Sequence, residues 1–230
     1  MTTKRMMFTL LALGLCSQAQ ASDPGFYVGG GLGHTDFSGD IARQIERTYA
    51  GDDEFSLDLA VLTDDSDGAY KLFAGYRFGS WFGLELAWHD FGEARSFYEI
   101  SPLSPVTPPP PGSSIEGRYD VDGPALTFFG EWDFSDSVSG IVRAGLINTS
   151  LDYEEVSVAG APHRFEADHS DTRPTFGLGL NWRMAPRWDL RLDYDRVQGV
   201  GQEFAFTNDG NGRFEHLDVL SLNLAYRFGK

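Results

Sequence analysis

A two-residue apolar alternation returns again and again along this chain, and it leaves few folds open. Tyr70, Leu72, Ala74, Tyr76 and Phe78 share one face of an extended segment, with Lys71, Phe73, Gly75 and Arg77 on the other. Side chains of a strand point alternately to opposite sides, so this spacing specifies β-structure rather than helix. The pattern recurs in Phe82, Leu84, Leu86 and Trp88, and again in Leu126, Phe128, Gly130, Trp132 and Phe134. It continues in Val138, Val142, Ala144 and Leu146, in Phe176, Leu178, Leu180, Trp182 and Met184, and in Trp188, Leu190, Leu192 and Tyr194. Leu220, Leu222, Leu224, Tyr226 and Phe228 form the last such segment, and a Gly-rich strand from Phe26 to Thr35 brings the expected number to eight.

A soluble sandwich with its apolar faces inward shows the same alternation, but two features separate the alternatives. Three connections are very short: Gly79-Ser80-Trp81, Ser135-Asp136-Ser137 and Ala185-Pro186-Arg187. The four that alternate with them, near 36–67, 92–120, 150–172 and 196–216, are long. Short turns at one end and long loops at the other are the habit of outer-membrane barrels. Aromatic residues also crowd the short turns: Phe78, Trp81, Phe82, Trp132, Phe134, Trp182, Trp188 and Phe228. Amphipathic rings gathered at one height are expected to form a periplasmic-side belt at headgroup level. The expected fold is therefore all-β: an eight-stranded antiparallel up-and-down transmembrane barrel, with short periplasmic turns and four long extracellular loops.

The amino terminus supports export. Lys4 and Arg5 precede an apolar run from Met6 to Leu15, and Ala19-Gln20-Ala21 supplies small residues before Ser22. Residues 1–21 read as a cleaved secretory signal peptide and 22–230 as the barrel domain. Leu15 is too large for the position before a lipidated cysteine, which argues against processing at Cys16. Cys16 is the chain's one cysteine, so the exported part has none and cannot be held by disulfides. The formal net charge of −16 makes the chain a poor partner for nucleic acid, whose phosphates call for Lys and Arg.

Several inward-facing positions could carry chemistry. Lys71, Arg77, Glu85, His89, Glu131, Arg143, Arg183, Arg191, Asp193, Asp195 and Arg227 all fall on the face opposite the apolar one. Charges enclosed in a narrow lumen must pair or shift their protonation. A crossed network of Glu85 and Glu131 with Arg143 and Arg191 is the expected arrangement, serving as filler or as a gate. Enzyme chemistry is not expected: His169, Ser170 and Asp171 are consecutive, so His and Ser point to opposite faces, and His216 and Ser221 are likewise opposed. No metal or cofactor is expected either. The acidic run Thr63-Asp64-Asp65-Ser66-Asp67-Gly68 fits no EF-hand spacing, and the histidines lack zinc spacing. The segment Asp36–Gly68, with ten acidic and two basic residues, reads as a solvated acidic loop, and the Pro-rich stretch Ser101–Pro111 as a stiff exposed tip.

Certain segments carry a family resemblance. Gly75-Tyr76-Arg77-Phe78, Trp81-Phe82-Gly83-Leu84-Glu85-Leu86, Leu126-Thr127, Val142-Arg143-Ala144-Gly145, Leu190-Arg191-Leu192-Asp193-Tyr194 and Leu220-Ser221-Leu222-Asn223-Leu224-Ala225-Tyr226-Arg227-Phe228-Gly229 resemble the eight-stranded transmembrane domain of the OmpA family. The resemblance implies a non-enzymatic barrel that supports the envelope and offers its loops to surface ligands or phage. Its implied partners are outer-membrane lipid and lipopolysaccharide, periplasmic chaperones and the barrel-assembly machinery. A small gated porin-like channel is the alternative, and a lipid-modifying barrel enzyme the third. In that family a lumenal Glu–Arg pair blocks the channel, and Glu85 and Arg191 occupy those motif positions. The family's switching Lys and second Glu appear here as Phe129 and Asn181, which implies a more permanently shut lumen. Family members often continue into a peptidoglycan-binding domain. These residues stop at Lys230, just after the last strand, so no such tether is expected from them.

Overall fold

The computed structural model describes residues 25–39, 41–49, 55–79, 81–102, 113–160, 162, 164–201 and 214–228. The signal segment with Cys16 and the Pro-rich stretch from Leu103 to Pro111 lie outside the described residues. The elements are β1 (Phe26–Ser38), α1 (Ile41–Tyr49), β2 (Phe55–Asp64), β3 (Ser66–Arg77), β4 (Phe82–Pro102), β5 (Ser113–Asp133), β6 (Val138–Ala159), β7 (Arg164–Ala185), β8 (Trp188–Val200) and β9 (Phe214–Arg227).

Strands β1 and β3 to β9 pair antiparallel with their neighbours, and β1 with β9, to close an eight-stranded barrel. The additional strand β2 prolongs β3: it pairs with the outer part of β4 while β3 pairs with the inner part. The stagger follows from the registers. Stepping from Phe26 through Tyr76, Leu84, Phe128, Ala144, Phe176, Arg196 and Asp218 returns to β1 at Asp36, ten residues along from the start. A stagger of this kind is what tilts the strands of a closed barrel to about 35–45° from its axis.

The long connections differ from expectation. β4 and β5 stay paired out to Ile100 and Ser113, and β6 and β7 out to Val156 and Arg164. Much of 92–120 and 150–172 is therefore strand. The alternation survives there with its sense inverted. In the half nearer the short turns, Leu72, Leu86, Phe128, Leu178 and Leu222 point outward and are exposed, while Lys71, Glu85, Arg143, Arg191 and Asp193 are buried inside. In the outer half Phe91, Ala94, Tyr98, Ile115, Tyr119, Val121, Leu151 and Tyr153 are buried inside. Arg95, Arg118, Asp120 and Glu154 face outward. The first arrangement suits hydrocarbon and the second suits water. On β4 the crossover coincides with a β-bulge between Asp90 and Glu93, where Gly92 has φ +77°. The extra residue moves the inward face from odd to even numbers, which seats Ala94, Ser96 and Tyr98 inside.

The expected acidic loop also contains structure. Ile41, Gln44 and Ile45 lie on one face of α1 and are buried, and the two isoleucines join the outer apolar core with Phe37, Phe91, Phe214 and Leu217. This three-and-four spacing covers a single helical turn among many carboxylates, so the apolar face of α1 is masked in the sequence by the acidity around it.

Candidate functional site: the barrel interior

The lumen is built in layers. Nearest the short turns, Arg77 Nη2 lies 2.7 Å from Glu131 Oε2 and Arg227 Nε 3.0 Å from Asp189 Oδ2. Arg183 pairs with Asp133 and lies 3.7 Å from Glu131. Glu131 also accepts hydrogen bonds from Ser139 (2.5 Å) and Asn181 (3.2 Å). Three guanidinium groups face three carboxylates, so this layer carries no net charge.

A second set lies further in. Arg191 Nη1 is 2.8 Å from Glu85 Oε2 and its Nη2 is 3.2 Å from Asp193. Arg143 reaches Asp193 at 3.1 Å and Asp195 at 2.9 Å. Lys71 Nζ lies among Glu85, Asp195 and Asp193 at 3.3, 3.2 and 3.8 Å. Again three cations meet three carboxylates, and all six side chains are at most a few per cent exposed. Burying an ion costs several kcal/mol unless it is paired and hydrogen-bonded. The multiple contacts here meet that requirement. Tyr27 and Asn223 add donors, to Glu85 (2.8 Å) and Asp193 (3.1 Å) respectively.

The four gate candidates do not form one crossed network. Glu85 meets Arg191, but Glu131 meets Arg77 and Arg183, and Arg143 meets the two aspartates. The register explains the difference: Arg143 stands opposite Phe129, and Glu131 stands opposite Ile141, one step nearer the turns. Tyr27 belongs to the site and was not among the sequence candidates. Its signal was available in the inward parity of β1, where it is the one aromatic residue before the glycines.

Between the two sets stand three rings. Tyr27 is 6.1 Å from Phe73 and 6.0 Å from Phe129, both edge-on, and Ala87, Ile141 and Ala225 complete this small apolar cluster. Beyond the second set, toward the outer end, the large apolar core begins, with His89 stacked on Phe91 at 5.4 Å.

The belt candidates Phe78, Trp81, Phe82, Trp132, Phe134, Trp182 and Trp188 are all exposed, and Phe228 is half-buried. Several of them meet ring to ring: Trp81 with Phe82 at 4.6 Å, Trp132 with Phe134 at 5.9 Å, and Trp188 with Tyr226 at 5.0 Å. The hydrolase-type residues do not converge. His169 Nε2 lies 3.6 Å from Asp171 on the inner side, where Asp171 accepts from Thr149 and Arg173, while Ser170 faces out. Among the described residues no three His, Cys, Asp or Glu side chains gather suitably for a metal ion.

Residues 7–228 match the family model described as outer membrane protein beta-barrel domain. The chain belongs to that family. This outer-membrane barrel is 24% identical over 227 residues to outer membrane protein A of Shigella dysenteriae, covering 96% of the chain. It spans about half, 54%, of that relative's length. Among solved structures it is similar to Ail, the attachment invasion locus protein of Yersinia pestis, in complex with the heparin analogue sucrose octasulfate. The identity is 14% and the TM-score 0.47, with 89% of this chain and 99% of that one covered. OprG from Pseudomonas aeruginosa gives 13% identity and a TM-score of 0.46, with 91% and 98% covered. The barrel sits in the bacterial outer membrane and crosses it with its strands.

Proposed function

We propose that this barrel is a non-enzymatic, non-conducting component of the outer membrane that supports the envelope and meets its surroundings through its outer half. The observation that carries the reading is the filling of the interior. Two charge-neutral ion-pair layers, a ring layer between them and an apolar core above occupy successive heights of the lumen. Eight strands enclose an interior just wide enough for side chains to fill. The crevice beside Lys71, His89, Phe91 and Ser221 is too narrow for a water molecule. In this reading Glu85, Arg191 and Arg143 belong to the second charge-neutral layer filling the lumen and Glu131 to the first, and the filled interior as a whole closes it. The aromatic belt rests at the periplasmic headgroups, and residues 1–21 are removed on export. Lipid and lipopolysaccharide surround the strands, chaperones and the assembly machinery deliver the chain, and surface ligands or phage approach from outside.

Single-channel recording from the refolded chain 22–230 in a planar bilayer tests this. Silence is the expected result, from protein whose folding is verified by unboiled gel mobility. Discrete, reproducible openings would overturn the sealed-lumen reading in favour of a small diffusion channel.

A further inference from the structure

Resting on the sealed-lumen reading, we propose that the barrier on the periplasmic side is the septum of Tyr27, Phe73 and Phe129, and that the Glu85–Arg191 pair behind it does not itself exclude water and ions. Each ring is seated against a glycine of another strand. A Cβ at Gly75 would collide with the Tyr27 ring, one at Gly29 with Phe73, and one at Gly83 with Phe129. Side chains at these three positions would leave no room for the rings, so the sequence clears floor space for each of them. Cations brace the layer. The Arg77 guanidinium, from the layer nearer the turns, lies 5.9 Å from the Tyr27 ring centre. Arg191, from the second layer, lies 6.0 Å from Tyr27 and 4.6 Å from Phe73.

The physics of the two layers differs. An ion pair is itself hydrophilic, and water can replace either partner's contacts one at a time. An apolar constriction offers an ion no such replacement and empties of water, which is how hydrophobic gates hold. The ionic set behind the septum has the apolar outer core on its far side, so it lies between two apolar seals. Its six charges balance, so it presents no net field to draw an ion through the rings.

A single engineered thiol reads this directly. Ser221 is buried at the level of the second ionic set, where it accepts a hydrogen bond from Asn223 at 2.9 Å, and Ser221→Cys changes one atom in a mature chain that otherwise has no cysteine. The probe is a small cationic methanethiosulfonate, added to the chain 22–230 refolded in detergent micelles, with gel mobility confirming the fold. In the Ser221→Cys parent the thiol reacts at least a hundredfold more slowly than in unfolded protein. Adding Glu85→Gln leaves the rate within twofold, and adding Phe73→Ala with Phe129→Ala raises it at least tenfold. Should the ring variant fail to fold, Phe73→Leu with Phe129→Leu replaces it with a smaller rise expected. A tenfold rise with Glu85→Gln, or no rise in folded ring variants, would overturn the septum. A rate in the parent near that of unfolded protein would instead overturn the sealed lumen itself.

Discussion

A direct steric test of the ring layer is Gly75→Ala. The added methyl would meet the Cζ, hydroxyl and Cε1 atoms of Tyr27 well inside van der Waals distance. That ring cannot simply swing aside, because its hydroxyl donates to Glu85 at 2.8 Å and it packs edge-on with Phe73 and Phe129. Overpacking of a close-fitted core costs about 1–3 kcal/mol. A displaced ring also gives up a hydrogen bond to a carboxylate, worth about 1.5–3 kcal/mol. The variant is therefore expected to lose about 3–5 kcal/mol. With a urea slope of about 2 kcal/mol/M, its midpoint should fall by about 1.5 M or more. Gly68→Ala is the matched control, since a Cβ there meets nothing within 4 Å. It should stay within about 0.5 kcal/mol of the parent. Urea titration followed by tryptophan emission and by gel mobility measures both. A Gly75→Ala barrel that unfolds at the parental urea concentration would refute the idea that Tyr27 is clamped.

Three further outcomes are expected. Glu131→Ala strands Arg77 and takes the acceptor from Ser139 and Asn181, while Arg183 keeps Asp133; it should cost about 3–5 kcal/mol, read by the same titration. Ile41→Ala empties a fully buried site beneath α1 and should cost the outer core about 2–4 kcal/mol; faster hydrogen exchange in α1, with the inner strands unchanged, is its signature. Burial, with Tyr119 and Glu155 alongside, holds the Tyr153 phenol above its ordinary value near 10. A phenol raised in this way adds stability below about pH 10 that is lost as pH rises further, because the unfolded chain then releases a proton the folded one keeps. Melting temperature should therefore fall less steeply from pH 10 to 12 in Tyr153→Phe than in the parent, and equal slopes would count against the assignment.

The membrane-facing half was legible because its apolar residues point outward at strict two-residue spacing and its turns are short. The outer half was hidden by the same logic. There the outward positions of β4 to β6 carry Arg95, Glu116, Arg118, Asp120 and Glu154, and a charged segment reads as loop unless Tyr98, Ile115, Tyr119 and Leu151 are placed opposite them. Glu85 with Arg191 was within reach of motif and parity. The partners of Glu131 and Arg143 were not, because side-chain height in a barrel depends on a stagger that emerges only when all eight strands close. The parity of β8 turns Asp193 and Asp195 inward, but nothing in their spacing reveals that both meet Arg143.

The inversion of the alternation also works as a depth gauge. Moved outward, the barrel would lift Leu72, Phe128 and Leu178 into water; moved inward, it would drag Asp90, Asp122 and Arg196 into hydrocarbon. Each direction is opposed by a different free energy, so vertical position is set from both sides. Turned end for end, the chain would bring its acidic outer strands to the periplasm and its aromatic rings to the cell surface. Bilayers much thicker or thinner than about 25 Å of hydrocarbon should therefore strain the protein, and it should sort toward membrane whose core matches that band.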